Sequence, residues 1–171
     1  MAEPWWKKRE RQIARYIGAE RNRCSGSSGR SVDSRSDSTH PMLYVETKCG
    51  KQTARVWRAW DDMGTDISRE FLSPDAVSLI TIKEPGIILT VWHVHGDIPA
   101  RPVGFRPTYF ADKWAIVALW RETAERARAE GKLPVLALVA KGRPGWLWVT
   151  DRRGLDMLIE AIRAAKKGAK Q

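Results

Sequence analysis

The chain has 171 residues, with 30 Lys and Arg against 20 Asp and Glu, a formal charge of +10 and a pI near 10.0. That length fits one domain, or one domain with an insertion, and the charge favours a polyanionic partner; nucleic acid fits better than an acidic membrane, because no long basic amphipathic helix is evident. Neither a run of about 18 apolar residues nor an apolar leader is present, and Cys24 and Cys49 make neither a disulfide framework nor a zinc spacing, so no membrane span is expected and a cytoplasmic setting is.

Residues 1–23 are basic, and the spacing predicts a helix from about Trp6 to Ala19. Ile13, Tyr16 and Ile17 fall at i, i+3 and i+4, and Gly18 marks the end. Cys24 to Ser31 is a Gly/Ser loop flanked by arginines. It is either a plain flexible linker or a loop small enough to bring backbone and hydroxyls close to a phosphate chain. His40, before Pro41, is read as shaping a turn rather than binding metal.

Met42 to Val45 is a short apolar run between Pro41 and Gly50, and so reads as a buried strand. Side chains alternate faces along a strand, which puts Glu46 and Lys48 on one side and Leu43, Val45, Thr47 and Cys49 on the other. Asp37 stands behind a turn able to fold it back beside the charged pair. Two carboxylates and one ammonium would then converge on a small volume, able to hold a divalent metal and to stabilise charge developing on an attacked phosphate. The alternative is a surface Glu–Lys pair of little energetic consequence.

From Thr53 to Met63 the spacing is helical, with Trp57 and Trp60 on one face as core residues, and Gly64 ends it. Val77–Ile82 and Ile87–Val94, joined by Glu84-Pro85-Gly86, read as a hairpin. His93 and His95 share a face of its second strand, but no third ligand accompanies them, so packing is the simpler account. Thr108 to Glu130 is the main helix. Trp114, Val117, Trp120, Ala124 and Ala127 form its stripe, while Arg121, Glu122, Glu125, Arg126 and Arg128 are expected to face water. Leu133 to Ala140 reads as a central strand buried on both sides, Trp146 to Thr150 as another. Leu155, Leu158, Ile159 and Ile162 mark a closing helix before a basic tail from Lys166 that is expected to fray.

Asp37, a spacer and then Glu46-Thr47-Lys48 resemble the signature of the restriction-endonuclease-like PD-(D/E)xK nucleases, and the order of elements agrees over most of the chain. Only residues 37 to 48 are motif-specific, and Ser36 stands where that signature carries proline. The resemblance implies an α/β core with a mixed central sheet flanked by helices, in a single nuclease domain spanning 1–171. A helix and a β-hairpin would be inserted at about 51–110, extending the sheet or contacting substrate. It further implies a Mg²⁺- or Mn²⁺-dependent endonuclease that hydrolyses DNA phosphodiester bonds. Asp37, Glu46 and the carbonyl of Thr47 would ligate the metal, and Lys48 would be catalytic. The form of the run from Asp37 favours it over Asp33, which competes for the role. Glu10 matches the glutamate of such nucleases' opening helix, and the alternative is a surface glutamate paired with arginines. The first helix and basic Ser/Gly loop look most like Holliday-junction resolvases, which act as homodimers on branched DNA. Arg11, Arg23, Ser25, Ser27, Ser28, Arg30 and Arg35 are the expected DNA contacts. The competing readings are a phage-type nicking nuclease without junction specificity and a non-catalytic basic nucleic-acid-binding protein.

Overall fold

Apolar periodicity decides both which elements form and which face each one buries. A computed structural model describes residues 3–22, 35–66, 76–84, 86–94, 101–105 and 113–169. The elements are α1 (Trp5–Tyr16), β1 (Leu43–Lys48), α2 (Lys51–Asp66), β2 (Ala76–Glu84), β3 (Ile87–Val94), β4 (Arg101–Phe105), α3 (Lys113–Ala129), β5 (Leu133–Leu138), β6 (Trp146–Thr150) and α4 (Arg152–Gly168).

The strands make one mixed sheet in the order β1-β5-β6-β3-β2-β4. The neighbours β1 and β5 are parallel, with Leu43 opposite Leu133 and Lys48 opposite Leu138, and α3 lies between them in sequence and packs back over them. Parallel neighbours need such a crossover, because a tight turn cannot reverse direction twice. Strands β5, β6, β3 and β2 are successively antiparallel, and β4 lies parallel to β2. The segment at about 51–110 is therefore not an appendage. Its hairpin pairs with β6, and the segment supplies a helix and three strands, one more than the hairpin alone.

Each face of the sheet carries its own core. Leu136, Leu138, Leu147, Val149, Leu89 and Val91 pack against Val56 and Trp57 of α2 and Ile116, Val117 and Trp120 of α3. Leu43, Val45, Val135, Ala137 and Trp148 pack against Ile13 and Ile17 of α1 and Leu158 and Ile162 of α4. The continuous apolar run of β5 is explained by this: its two residue sets each face a core, with Val135 to Val139 wholly buried. Two expectations need correction. Trp114, placed in the stripe of α3, is 61% exposed because it precedes the turn that first meets the sheet. The closing helix runs on through Lys166 and Lys167 to Gly168, since Ala164 and Ala165 ahead of the two lysines, and the lysines themselves, keep the propensity high.

Helix ends follow local chemistry. Gly18, at φ +71°, takes the left-handed conformation that closes α1, and a Cβ there would lie 3.2 Å from the Ala165 Cβ of α4. The Asp151 carboxylate caps α4 by accepting the Gly154 N–H at 2.8 Å. Among the described residues no helix is long and apolar enough to cross a membrane.

Candidate functional site at the end of the first strand

As the outermost strand on its side, β1 would offer a row of unpaired backbone groups. The segment around Ser36–Ser38 covers them. The buried Ser36 hydroxyl accepts the Val45 N–H at 2.9 Å and donates to the Val45 carbonyl at 3.2 Å. The Asp37 N–H donates to the same carbonyl at 2.7 Å, and Ser38 bridges antiparallel to Arg21. A proline at 36 could make neither hydroxyl contact, so serine at this departure from the signature has a backbone-clipping role. The clip carries Asp37 to the end of β1, where its Oδ2 accepts the Thr47 N–H at 2.6 Å. The Asp37 carboxylate thus sits against the peptide between Glu46 and Lys48. The turn that makes this possible is closed by His40, whose Nδ1 accepts the N–H groups of Met42 and Leu43 at 3.2 and 3.1 Å.

The pairing register puts Glu46 beside Leu136 and Lys48 beside Leu138, both facing the α2/α3 core. Lys48 Nζ lies 2.9 Å from Glu46 Oε1, and that oxygen also accepts from Arg126 Nη1 of α3 at 3.1 Å. Glu122 completes the group, 3.6 Å from Lys48 Nζ and 2.5 Å from Arg126 Nη2. The Tyr44 hydroxyl donates to Glu46 Oε2 at 3.5 Å. Its pKa is pushed well above the ordinary tyrosine value, first by burial and then by the Glu46 carboxylate, so the phenol stays protonated and acts as a donor. Glu122 is exposed as expected and Arg126 is half-buried, and both reach the Glu46–Lys48 pair of β1. The opposite charges at i and i+4 are legible on the helix; their partners on the strand are not.

Glu10 approaches from the other face. It is 7% exposed and accepts from Arg21 Nε at 2.5 Å, so it is a buried, arginine-paired glutamate rather than a surface one. Cys49 is a further residue that sequence reasoning passed over. Its thiol pKa is raised by burial and then by the Glu10 and Asp37 carboxylates, with Lys48 opposing them. Those three charged groups from three separate segments are therefore all within electrostatic reach of one sulfur at the end of β1. Nothing in the spacing of the sequence signals it.

The remaining candidates divide. Arg11 is tied by a two-pronged ion pair to Glu3, just ahead of α1, which satisfies it locally. Arg35 is exposed, and its backbone N–H donates to Glu130 Oε1 at 2.7 Å. Arg23, Ser25, Ser27, Ser28, Arg30 and the competing Asp33 lie outside the described residues, as does His95. His93 is packed edge-on against Trp57, with ring centroids 5.1 Å apart, and its Nε2 is 3.3 Å from the Pro144 carbonyl oxygen.

No family model, no curated protein and no solved structure matches this chain. What the site can do follows from its own chemistry. Asp37, Glu46 and the backbone of Thr47 offer hard oxygen donors of the type that Mg²⁺ and Mn²⁺ take. The Thr47 hydroxyl oxygen is buried with no hydrogen-bond partner among the described residues. Against this, Glu46 is engaged by two protein cations, and no three His, Cys, Asp or Glu side chains among the described residues are grouped to hold a metal. The donor set fits a hard divalent ion in type; Arg126 and Lys48 now supply the positive charge that such an ion would bring to Glu46.

Proposed function

We propose that the protein is a metal-dependent DNA endonuclease with a restriction-endonuclease-like core, in which the end of β1 is the active site. The observation that carries this reading is the Asp37–Thr47 hydrogen bond. It brings the upstream acid, ten positions earlier than Thr47, against the residue flanked by Glu46 and Lys48. A charge of +10 supports a phosphate-rich substrate.

In this reading Asp37 and Glu46, with the Thr47 carbonyl, hold Mg²⁺ or Mn²⁺. A bound ion of this kind supplies Lewis-acid polarisation of the scissile phosphate and lowers the pKa of water. Lys48, its ammonium 2.9 Å from Glu46, is placed to donate to the attacking water or to a phosphate oxygen as negative charge develops. The Tyr44 phenol, kept protonated, steadies Glu46 by donating to its second oxygen. Glu10 serves by orienting Arg21, to which it is paired at 2.5 Å. Within nucleases we favour a structure-specific enzyme of the junction-resolving type acting as a homodimer, for which branched DNA is the substrate.

The test is incubation with supercoiled plasmid and with a four-way junction, in Mg²⁺ or Mn²⁺ and in EDTA. Cutting that needs metal and is lost in Glu46→Gln and Asp37→Asn supports the proposal. One specific observation favours a second reading, a non-catalytic nucleic-acid-binding protein: both Glu46 oxygens are already engaged within the protein. Tight DNA binding with no cutting by freshly purified protein would decide for it. A monomer at high concentration in sedimentation would remove the junction-resolving assignment while leaving the nuclease one.

A further inference from the structure

A concavity lies at the other end of the sheet from the β1 site, where β3 and β5 begin and β6 ends. From Lys48 back to Leu43, the register partner of Leu133, is five residue steps, about 17 Å at roughly 3.3 Å per step. The cavity is about 780 Å³, within the range of small-molecule sites. Its lining is mixed, with an apolar part made by Ile87 and Ile88 from β3, Leu133 and Pro134 from β5, and Trp120 and Ala124 from α3. Ile88 is 58% exposed and lines the cavity, so its apolar side chain is open to a ligand there. Two corners are glycines, Gly86 and Gly131, where an added Cβ would meet nothing within 4 Å, so the space there is open.

Four cations from separate parts of the chain stand around these walls: Arg121 and Arg128 on α3, Lys132 in the following turn and Arg153 at the start of α4. Two acids accompany them, Glu125 and Asp151, and Asp151 already accepts the Gly154 N–H as the helix cap. Arg121, Arg128 and Arg153 make no ion pair with any described residue, although other arginines of the chain, such as Arg126 and Arg143, do. Unpaired guanidiniums above an apolar wall suit a ligand with a multiply charged, many-acceptor head and a flat apolar body. A carboxylate would occupy one such fork; a phosphate can take two or three.

We propose that this cavity is a nucleotide site, its arginine rim holding a phosphate and its Ile88, Leu133 and Pro134 wall the base. The phosphate is borne either by a free nucleotide or by the 5′ end of a nucleic-acid strand. The proposal stands without the nuclease reading, because none of these residues belongs to the Asp37–Glu46 corner.

The experiment is calorimetric titration in EDTA, using the full chain carrying Glu46→Gln, so that cutting cannot intervene. The probes are ATP, dAMP, inorganic phosphate, and a twelve-nucleotide single strand with and without a 5′-phosphate. Micromolar binding of a nucleotide or of the phosphorylated strand is expected. It should weaken about tenfold or more in Arg128→Ala/Arg153→Ala and likewise in Ile88→Asp. Binding of ATP or dAMP identifies the free form, and preference for the phosphorylated strand identifies the strand end. The proposal is overturned by no binding at millimolar concentration, by inorganic phosphate binding as tightly as nucleotides, or by strands that bind equally with and without the 5′-phosphate while nucleotides do not. Affinity unchanged in both variants, whose circular dichroism serves as the fold control, overturns it as well.

Discussion

Replacing Arg126 by glutamine asks whether the cation facing Glu46 stands where a metal's charge would go. Arg126 Nη1 is 3.1 Å from Glu46 Oε1, where two unit charges at an effective dielectric near 20 attract by about 5 kcal/mol. That figure is an upper bound. The arginine side chain is 39% accessible and shared with Glu122, and Lys48 remains beside Glu46, so water and the neighbours recover most of it. A net of about 1 to 1.5 kcal/mol should be left, and removing this competitor should tighten Mn²⁺ binding by about tenfold. Calorimetric titration of metal-stripped wild type and Arg126→Gln measures the change directly, without any need for activity. Glu46→Gln should weaken binding in both backgrounds. An Arg126→Gln protein with unchanged or weaker affinity for Mn²⁺ would refute the idea that the guanidinium occupies the ion's position.

Three other outcomes are expected. Glu46→Gln should lower DNA cutting by on the order of 10²-fold or more, as for loss of a preorganised electrostatic group, with far-UV circular dichroism unchanged. Gly154→Ala should destabilise the protein in urea titrations by about 1 to 2 kcal/mol, although alanine is the better helix former by about 1 kcal/mol. The added Cβ would overlap the Thr150 hydroxyl oxygen and come within 3.0 Å of the Pro134 carbonyl; a Thr150→Ala/Gly154→Ala protein should regain most of the loss. His40 has a pKa lowered by burial and then by Lys132, and its unprotonated Nδ1 accepts two backbone N–H groups. The unfolded chain therefore binds this proton more readily: the contribution is complete above pH about 6.5 and is lost as pH falls from there toward the lowered folded value. His40→Asn, which keeps an acceptor, should flatten that part of the stability profile; an unchanged slope would show that His40 is not its source.

Much of the architecture was legible because it rests on local periodicity. The apolar run at Leu133 to Ala140 announced a strand covered twice, and the runs Val77–Ile82 and Ile87–Val94 announced β2 and β3. The Glu46 and Lys48 alternation was equally local. What the sequence hid depends on pairing. Nothing in residues 113–129 says that Glu122 and Arg126 lie over β1 while Arg121 and Arg128 lie toward β3. That division is set by the crossover between two parallel strands far apart in the chain. Ser36 looked like a lost proline, and its contacts with Val45 exist only because the turn at His40 brings the segments side by side. The depth of Glu10 likewise comes from α1 packing on the sheet's second core, which no count of its neighbouring arginines reveals.

Helix α3 makes one rigid rod answerable to two corners of the molecule. Glu122 and Arg126 reach the acidic end of β1, while Arg121, Glu125 and Arg128 line the arginine-rimmed hollow beside β3, so a screw displacement of the rod cannot alter one without the other. A shift of one residue, about 1.5 Å along the axis with a turn of roughly 100°, would swing Arg126 off Glu46 and sweep Arg121 and Arg128 away from the hollow in the same movement. Substitutions along this helix should accordingly be scored at both ends before any effect is assigned to one.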